Sequence, residues 1–194
     1  NVLSYDLENK RFLKLNYLSE DMEEGYPGNL NVNVTYTLSD ENELSVEYNA
    51  NTDKATVLNL TQHSYFNLSG DFSEDILNHE IRINADAFLP VDETLIPTGE
   101  IRSVEGSPFD FRNLKLIGRD IDSNDNQIKF GKGYDHCWVI NNQDAGLRHV
   151  ASLYHSQTGR IMEIESDQPG IQFYSGNFLD GTLESKGEGY YNYR

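Results

Sequence analysis

The sequence predicts an all-β chain of antiparallel strands, a sandwich or a closed barrel, and three observations carry that prediction. Apolar and polar residues alternate at period two along much of the chain, helical periodicity is nearly absent, and the alternating runs are divided by Gly- and Pro-containing turn signals. The clearest run is Leu30, Val32, Val34, Tyr36 and Leu38, with Asn31, Asn33, Thr35 and Thr37 on the other face. After Ser39-Asp40-Glu41-Asn42 the alternation resumes in Leu44, Val46 and Tyr48, so the pair reads as a half-buried hairpin.

The remaining elements follow in chain order. Val57-Leu58-Asn59-Leu60 is a further short run, and Ile81 and Ile83 alternate with Arg82 and Asn84. Ala87 to Phe111 contains Pro90, Pro97 and Pro108 and reads as a long connection over the surface. A short helical turn is expected around Asn113 to Ile121, cut by Gly118. Cys137 to Ile140 is continuously apolar, as in a strand buried on both faces. Val150 to Tyr154 and Ile161 to Ile164 flank Ser156-Gln157-Thr158-Gly159, a hairpin turn, and Ile171 to Tyr174 follows the turn dipeptide Pro169-Gly170. No linker, composition break or repeat interrupts residues 1–194, which read as one domain.

Composition narrows the function. The 194 residues carry 32 acidic against 15 basic side chains, a net charge of −17, which repels phosphate backbones and anionic lipid. Neither a nucleic acid nor a membrane is therefore an expected partner, and no run approaches the roughly 20 apolar residues of a spanning helix. The single cysteine, Cys137, excludes an internal disulfide, and its apolar run argues for an inert thiol. His63, His79, His136, His149 and His155 show no metal-binding spacing, and the acidic loop from Asp120 lacks the Gly and Glu of a calcium loop. No metal and no cofactor is expected.

Three dense clusters of polar and aromatic residues sit at strand ends: Asn59 to Gly70, with Gln62-His63-Ser64-Tyr65-Phe66-Asn67 at its centre; Gly133-Tyr134-Asp135-His136-Cys137-Trp138; and Gln168 to Gly181, with Gly170-Ile171-Gln172-Phe173-Tyr174 at its centre. Each is compatible with a buried polar network that stabilises a β-domain. Together they also hold an imidazole, a carboxylate, carboxamides and flat rings, the groups that grip a sugar by its hydroxyls and its C–H face.

These segments resemble the signatures of the aldose 1-epimerase (galactose mutarotase) family. The resemblance extends through Glu24-Gly25-Tyr26-Pro27-Gly28-Asn29-Leu30, Thr35-Tyr36-Thr37-Leu38, Phe109-Asp110-Phe111-Arg112 and Ile117-Gly118-Arg119-Asp120-Ile121, in order from about Glu20 to Gly181. It implies an antiparallel β-supersandwich and a cofactor-free isomerase that interconverts the α and β anomers of free aldohexoses such as galactose and glucose. A base takes the O1 proton, an acid protonates the ring oxygen, the ring opens, C1–C2 rotates and the ring recloses. Histidine suits the acid role because imidazole gives and regains a proton near neutrality.

Carried over by position, His63 matches the catalytic acid, and Asp135 and Gln172 match residues that bind sugar hydroxyls; His136 and Tyr65 are expected to pack or support rather than act. The family's upstream Arg and His, and the Glu base after Gly-Asn-Phe-Leu-Asp-Gly, have no counterpart here, since Glu184 and Glu188 do not match that motif. The chain is thus expected to be an internal fragment of the supersandwich, weak or inactive alone, and prone to self-associate or to pair with a complementing segment through exposed strand edges. The alternatives are a non-catalytic carbohydrate-binding homologue and a hexose-phosphate epimerase, which would need a basic cluster for its phosphate. The expected compartment is the cytoplasm, with the periplasm and secretion left open.

Overall fold

The computed structural model describes residues 2–6, 11–71 and 73–183. They fall into two compact units, within Asn1–Tyr65 and Phe66–Arg194. All strand pairs in both units are antiparallel, as the alternation predicts.

In the first unit β1 (Val2–Asp6), β2 (Phe12–Ser19), β3 (Leu30–Leu38) and β4 (Leu44–Thr52) form a meander in the order β1-β2-β3-β4. The predicted hairpin is β3–β4, running in register from Leu30↔Thr52 to Leu38↔Leu44. Register places Leu13, Tyr36 and Val46 side by side, then Leu15, Val34 and Tyr48, on one face of the sheet. The other face carries the polar row Asn16, Asn33 and Asn49, with Asn16 Nδ2 donating to Asn33 Oδ1 at 3.3 Å. Gly28 closes the β2–β3 connection: its N–H donates to Asp21 at 2.6 Å, its φ is +88°, and a Cβ would stand 2.8 Å from Thr52 Oγ1. Asp53 accepts from the Asn29 backbone and side chain at 2.8 and 2.7 Å. The Gly-Tyr-Pro-Gly-Asn motif therefore builds a turn. Val57 to Leu60, expected as a strand, pairs with no other strand among the described residues; Val57 and Leu58 are exposed there and bury no apolar face.

The second unit holds two four-stranded sheets. One has the order β11-β10-β5-β8, from β5 (Glu80–Ile83), β8 (Lys115–Leu116), β10 (Arg148–His155) and β11 (Arg160–Ser166). The other has the order β12-β9-β6-β7, from β6 (Ala85–Leu89), β7 (Arg102–Ser103), β9 (Asp135–Ile140) and β12 (Gly170–Tyr174). The chain passes from one sheet to the other at Asn84, whose N–H donates to Val150 at 2.9 Å and whose C=O accepts from Asn141 at 3.0 Å. Both sheets feed one core that includes Ile81, Ile83, Phe88, Phe109, Phe111, Trp138, Ile140 and Val150. The Phe88 and Phe109 rings stack at 4.3 Å, and Trp138 Nε1 donates to the Phe109 carbonyl at 3.0 Å, so the largest buried ring is also hydrogen-bonded.

Three further sequence expectations need correction. The Ala87–Phe111 connection runs over the surface only in its middle: residues 92–94 and 96–103 are exposed, whereas Val91, Val104, Phe109 and Phe111 anchor it in the interior. The buried Gln127 side chain satisfies both backbone groups of Val91, at 2.7 and 2.8 Å, which removes the usual penalty for burying a loop. The helical turn expected over Asn113 to Ile121 is instead β8 followed by a 3-10 turn at Ile117–Arg119. The α-helix lies further on, α1 (Asn126–Gly131), started by Asp125 accepting from the Gln127 N–H at 2.7 Å and ended by Lys132 in the left-handed region. The end of the acidic loop is thus a helix cap. Finally, β9 is not buried on both faces: His136, Trp138 and Ile140 are buried, whereas Asp135, Cys137 and Val139 are half-buried on the opposite face.

Candidate functional site

That half-buried face of β9 carries the site. β9 pairs with β12 so that Tyr174 lies opposite Asp135 and Gln172 opposite Cys137, while Leu89 of β6 lies on the other side of Cys137. Two sequence-predicted residues therefore meet: Gln172 Nε2 donates to Asp135 Oδ1 at 2.9 Å. They border a cleft of about 110 Å³ whose other walls are His136, Cys137 and the apolar side chains of Leu89, Val91, Leu95 and Pro97. The carboxylate keeps acceptor capacity beyond that bond, and the Gln172 carboxamide adds an acceptor of its own. A carboxylate and a carboxamide facing an apolar wall suit a small polyol with one C–H-rich side. Burial pushes the Cys137 thiol up from its ordinary pKa, in keeping with an unreactive wall residue.

The opposite face backs the site. His136 is buried edge-on to Phe109 and Phe88, at 4.7 and 6.0 Å between ring centres. Its Nδ1 accepts from the Asp135 N–H at 3.1 Å, which leaves the proton on Nε2, and Nε2 makes no hydrogen bond to a described residue. Burial lowers its pKa to about 4, against a smaller opposing pull from Asp125, so it stays neutral and serves packing, as expected from the sequence.

His63 lies in the first unit. It stands in an irregular segment, exposed, with Tyr65 edge-on at 5.3 Å between ring centres. Its neighbours Gln62 and Ser64 hydrogen-bond to each other, so the segment is braced around the imidazole. In the second unit His79 and His155 stack at 4.5 Å in the interior, and His79 Nε2 accepts from the Leu68 N–H at 2.9 Å.

A larger cleft of about 510 Å³ borders Ser107, Asp110, Lys115, Arg119 and Asp120. Its charges are matched internally. Lys115 Nζ donates to Pro108 O at 2.6 Å and Asp120 at 3.1 Å over the Phe111 ring, and Arg112 pairs with Asp110 at 2.8 Å. The Phe109-Asp110-Phe111-Arg112 and Arg119-Asp120 motifs therefore hold structure. Among the described residues no group of three or more His, Cys, Asp or Glu is placed to hold a metal ion, and no helix is long and apolar enough to cross a membrane.

Sequence reasoning missed the apolar wall of the site, because Leu89, Val91 and Pro97 fell in the segment read as surface. The available signal was the run Phe88-Leu89-Pro90-Val91, too apolar for a solvated loop.

Comparison with known proteins agrees with these features. Residues 4–193 match the family profile described as aldose 1-epimerase. The chain is 49% identical over 185 residues to galactose mutarotase of Sus scrofa, covering 95% of this chain and 50% of that protein. It is 49% identical over 170 residues to galactose mutarotase of Homo sapiens, covering 87% and 47%. It is 41% identical over 175 residues to aldose 1-epimerase of Escherichia coli (strain K12), covering 90% and 50%. The structure superposes on galactose 1-epimerase from Lactobacillus acidophilus NCFM with a TM-score of 0.80 at 32% identity, covering 95% of this chain and 53% of that one. An aldose epimerase homologue from C. elegans gives 0.81 at 28% identity, covering 100% and 55%. The chain thus spans about half the length of the curated relatives it matches. By its profile match, its sequence identity and its fold, the chain belongs to the aldose 1-epimerase family.

Proposed function

We propose that the chain serves in the interconversion of the α and β anomers of a free aldohexose, galactose being the first candidate from the names of its relatives. The observation that carries the reading is the Asp135–Gln172 pair at the mouth of an apolar-walled cleft. In this reading Asp135 and Gln172 hold sugar hydroxyls and His63 is the acid at the ring oxygen. As a base takes the O1 proton, the C1–O5 bond breaks and its electron pair takes the proton from His63, leaving an aldehyde at C1 and a hydroxyl on C5. After rotation about C1–C2 the C5 hydroxyl attacks the other face of the carbonyl and both protons return, so nothing is consumed. No redox partner is required, and the cleft has only to fix the chain of the open sugar while C1 turns.

The test is polarimetry of freshly dissolved α-D-galactose with the chain completed by the segment that supplies the base, and with His63→Ala in the same background. Loss of a positioned acid should slow the enzyme-dependent relaxation by about 10²–10⁴-fold. Relaxation of the variant at the unmodified rate would overturn the reading.

A further inference from the structure

The two strand ends that present Asp135 and Tyr174 are joined just outside the ladder by a buried polar buckle. Asn177 is buried, and its Nδ2 donates to Gly131 O at 2.9 Å and to Tyr134 O at 2.7 Å. Its Oδ1 accepts from Ser175 Oγ at 2.7 Å, and Ser175 Oγ in turn accepts from the Tyr134 N–H at 3.0 Å. The Ser175 N–H donates to Tyr134 O at 3.0 Å. Both hydrogen-bonding atoms of the Asn177 carboxamide are therefore used by protein partners. The approach is close enough to dictate a glycine: Gly133 has φ +137°, and a Cβ there would stand 2.8 Å from Asn177 Cγ.

The position of this network is what gives it meaning. Tyr134 precedes Asp135 directly and Ser175 follows Tyr174 directly, while Tyr174 and Asp135 are register partners. A carboxylate that grips hydroxyls loses affinity when its backbone shifts by a fraction of an ångström. Beyond this terminal pair, among the described residues, the Ser175 N–H to Tyr134 O bond is the single backbone link that continues the ladder. Resting on the proposed sugar-binding role of Asp135 and Gln172, we infer that Asn177 is a positioning residue that fixes the β9 and β12 ends, and through them the Asp135–Gln172 pair, for a hexose. Asn177 touches no substrate in this scheme. It acts on binding, and its removal acts only through Asp135.

The experiment is a double-mutant cycle on the anomerisation of galactose, in the chain completed by the segment that supplies the base, comparing Asp135→Asn, Asn177→Ala and both together, with thermal melts to establish folding. Asn177→Ala should raise KM by about tenfold with kcat changed less than about threefold, as expected for lost preorganisation of a binding group. In the double variant KM should be no higher than in Asp135→Asn alone, because the buckle has nothing left to position. KM effects that multiply, or an Asn177→Ala protein that folds with unchanged KM while Asp135→Asn raises it, would overturn the positioning role and leave the functional reading intact. An unchanged KM in Asp135→Asn would instead overturn the sugar-binding reading, and the inference with it. Should Asn177→Ala fail to fold, Ser175→Ala, which removes only one arm of the buckle, carries the same cycle with a KM rise of about threefold.

Discussion

Acid stability of the second unit should be governed in part by His136, and the structure gives its size. An ordinary imidazole protonates near 6.5, whereas His136, buried against Phe88 and Phe109, does so only at about 4. Between those limits the unfolded chain binds a proton that the folded chain refuses. Stability therefore rises with pH across that window: the contribution is complete above about 6.5, is lost as pH falls, and is gone below about 4. At about 1.4 kcal/mol per pH unit the window amounts to about 3 kcal/mol. His136→Leu removes the titration while keeping an apolar side chain at the position. Urea unfolding at several pH values between 7 and 4 measures it, with the comparison between the two proteins cancelling the carboxylates and His79, whose pKa burial also lowers to about 4. The variant should gain about 3 kcal/mol relative to the unmodified protein on going from pH 7 to pH 4. Parallel stability curves would refute the reasoning, since they would mean that His136 is as easily protonated folded as unfolded.

Other expected outcomes rest on separate features. Gln127→Ala strands the buried N–H and C=O of Val91 and should cost about 2–4 kcal/mol in urea unfolding; a cost below about 0.5 would show that the connection is not held there. Because burial raises its pKa, the Cys137 thiol should react with iodoacetamide at pH 7.5 at least about tenfold more slowly in the native protein than in urea, and equal rates would contradict its placement. Trp138→Ala should destabilise the second unit by about 3–5 kcal/mol, read as a loss of urea midpoint.

What could be read without coordinates was whatever is local in the chain. The period-two alternation of Leu30 to Tyr48 names a hairpin and which residues share a face, because side-chain direction in a strand depends only on position parity. The Ser156–Gly159 turn and the run before it announce β10 and β11 in the same way. The resemblance singled out Asp135 and Gln172 as candidates from their neighbours in sequence. By contrast, α1 is too short to show a helical period and depends on a cap, Asp125, that looks like any acidic loop residue. The burial of Val91 was made possible by Gln127, a partner 36 positions away, and that of Phe109 and Phe111 by ring packing against Phe88, Tyr134 and Trp138. The Asp135–Gln172 bond and the Asn177 buckle join residues about forty positions apart, and no local pattern encodes which strands pair or in which register. The sequence by itself determined an antiparallel β protein and the chemical groups at its strand ends. Which of those groups meet was decided only by the tertiary structure, because strand pairing is set by the joint burial of faces that are far apart along the chain.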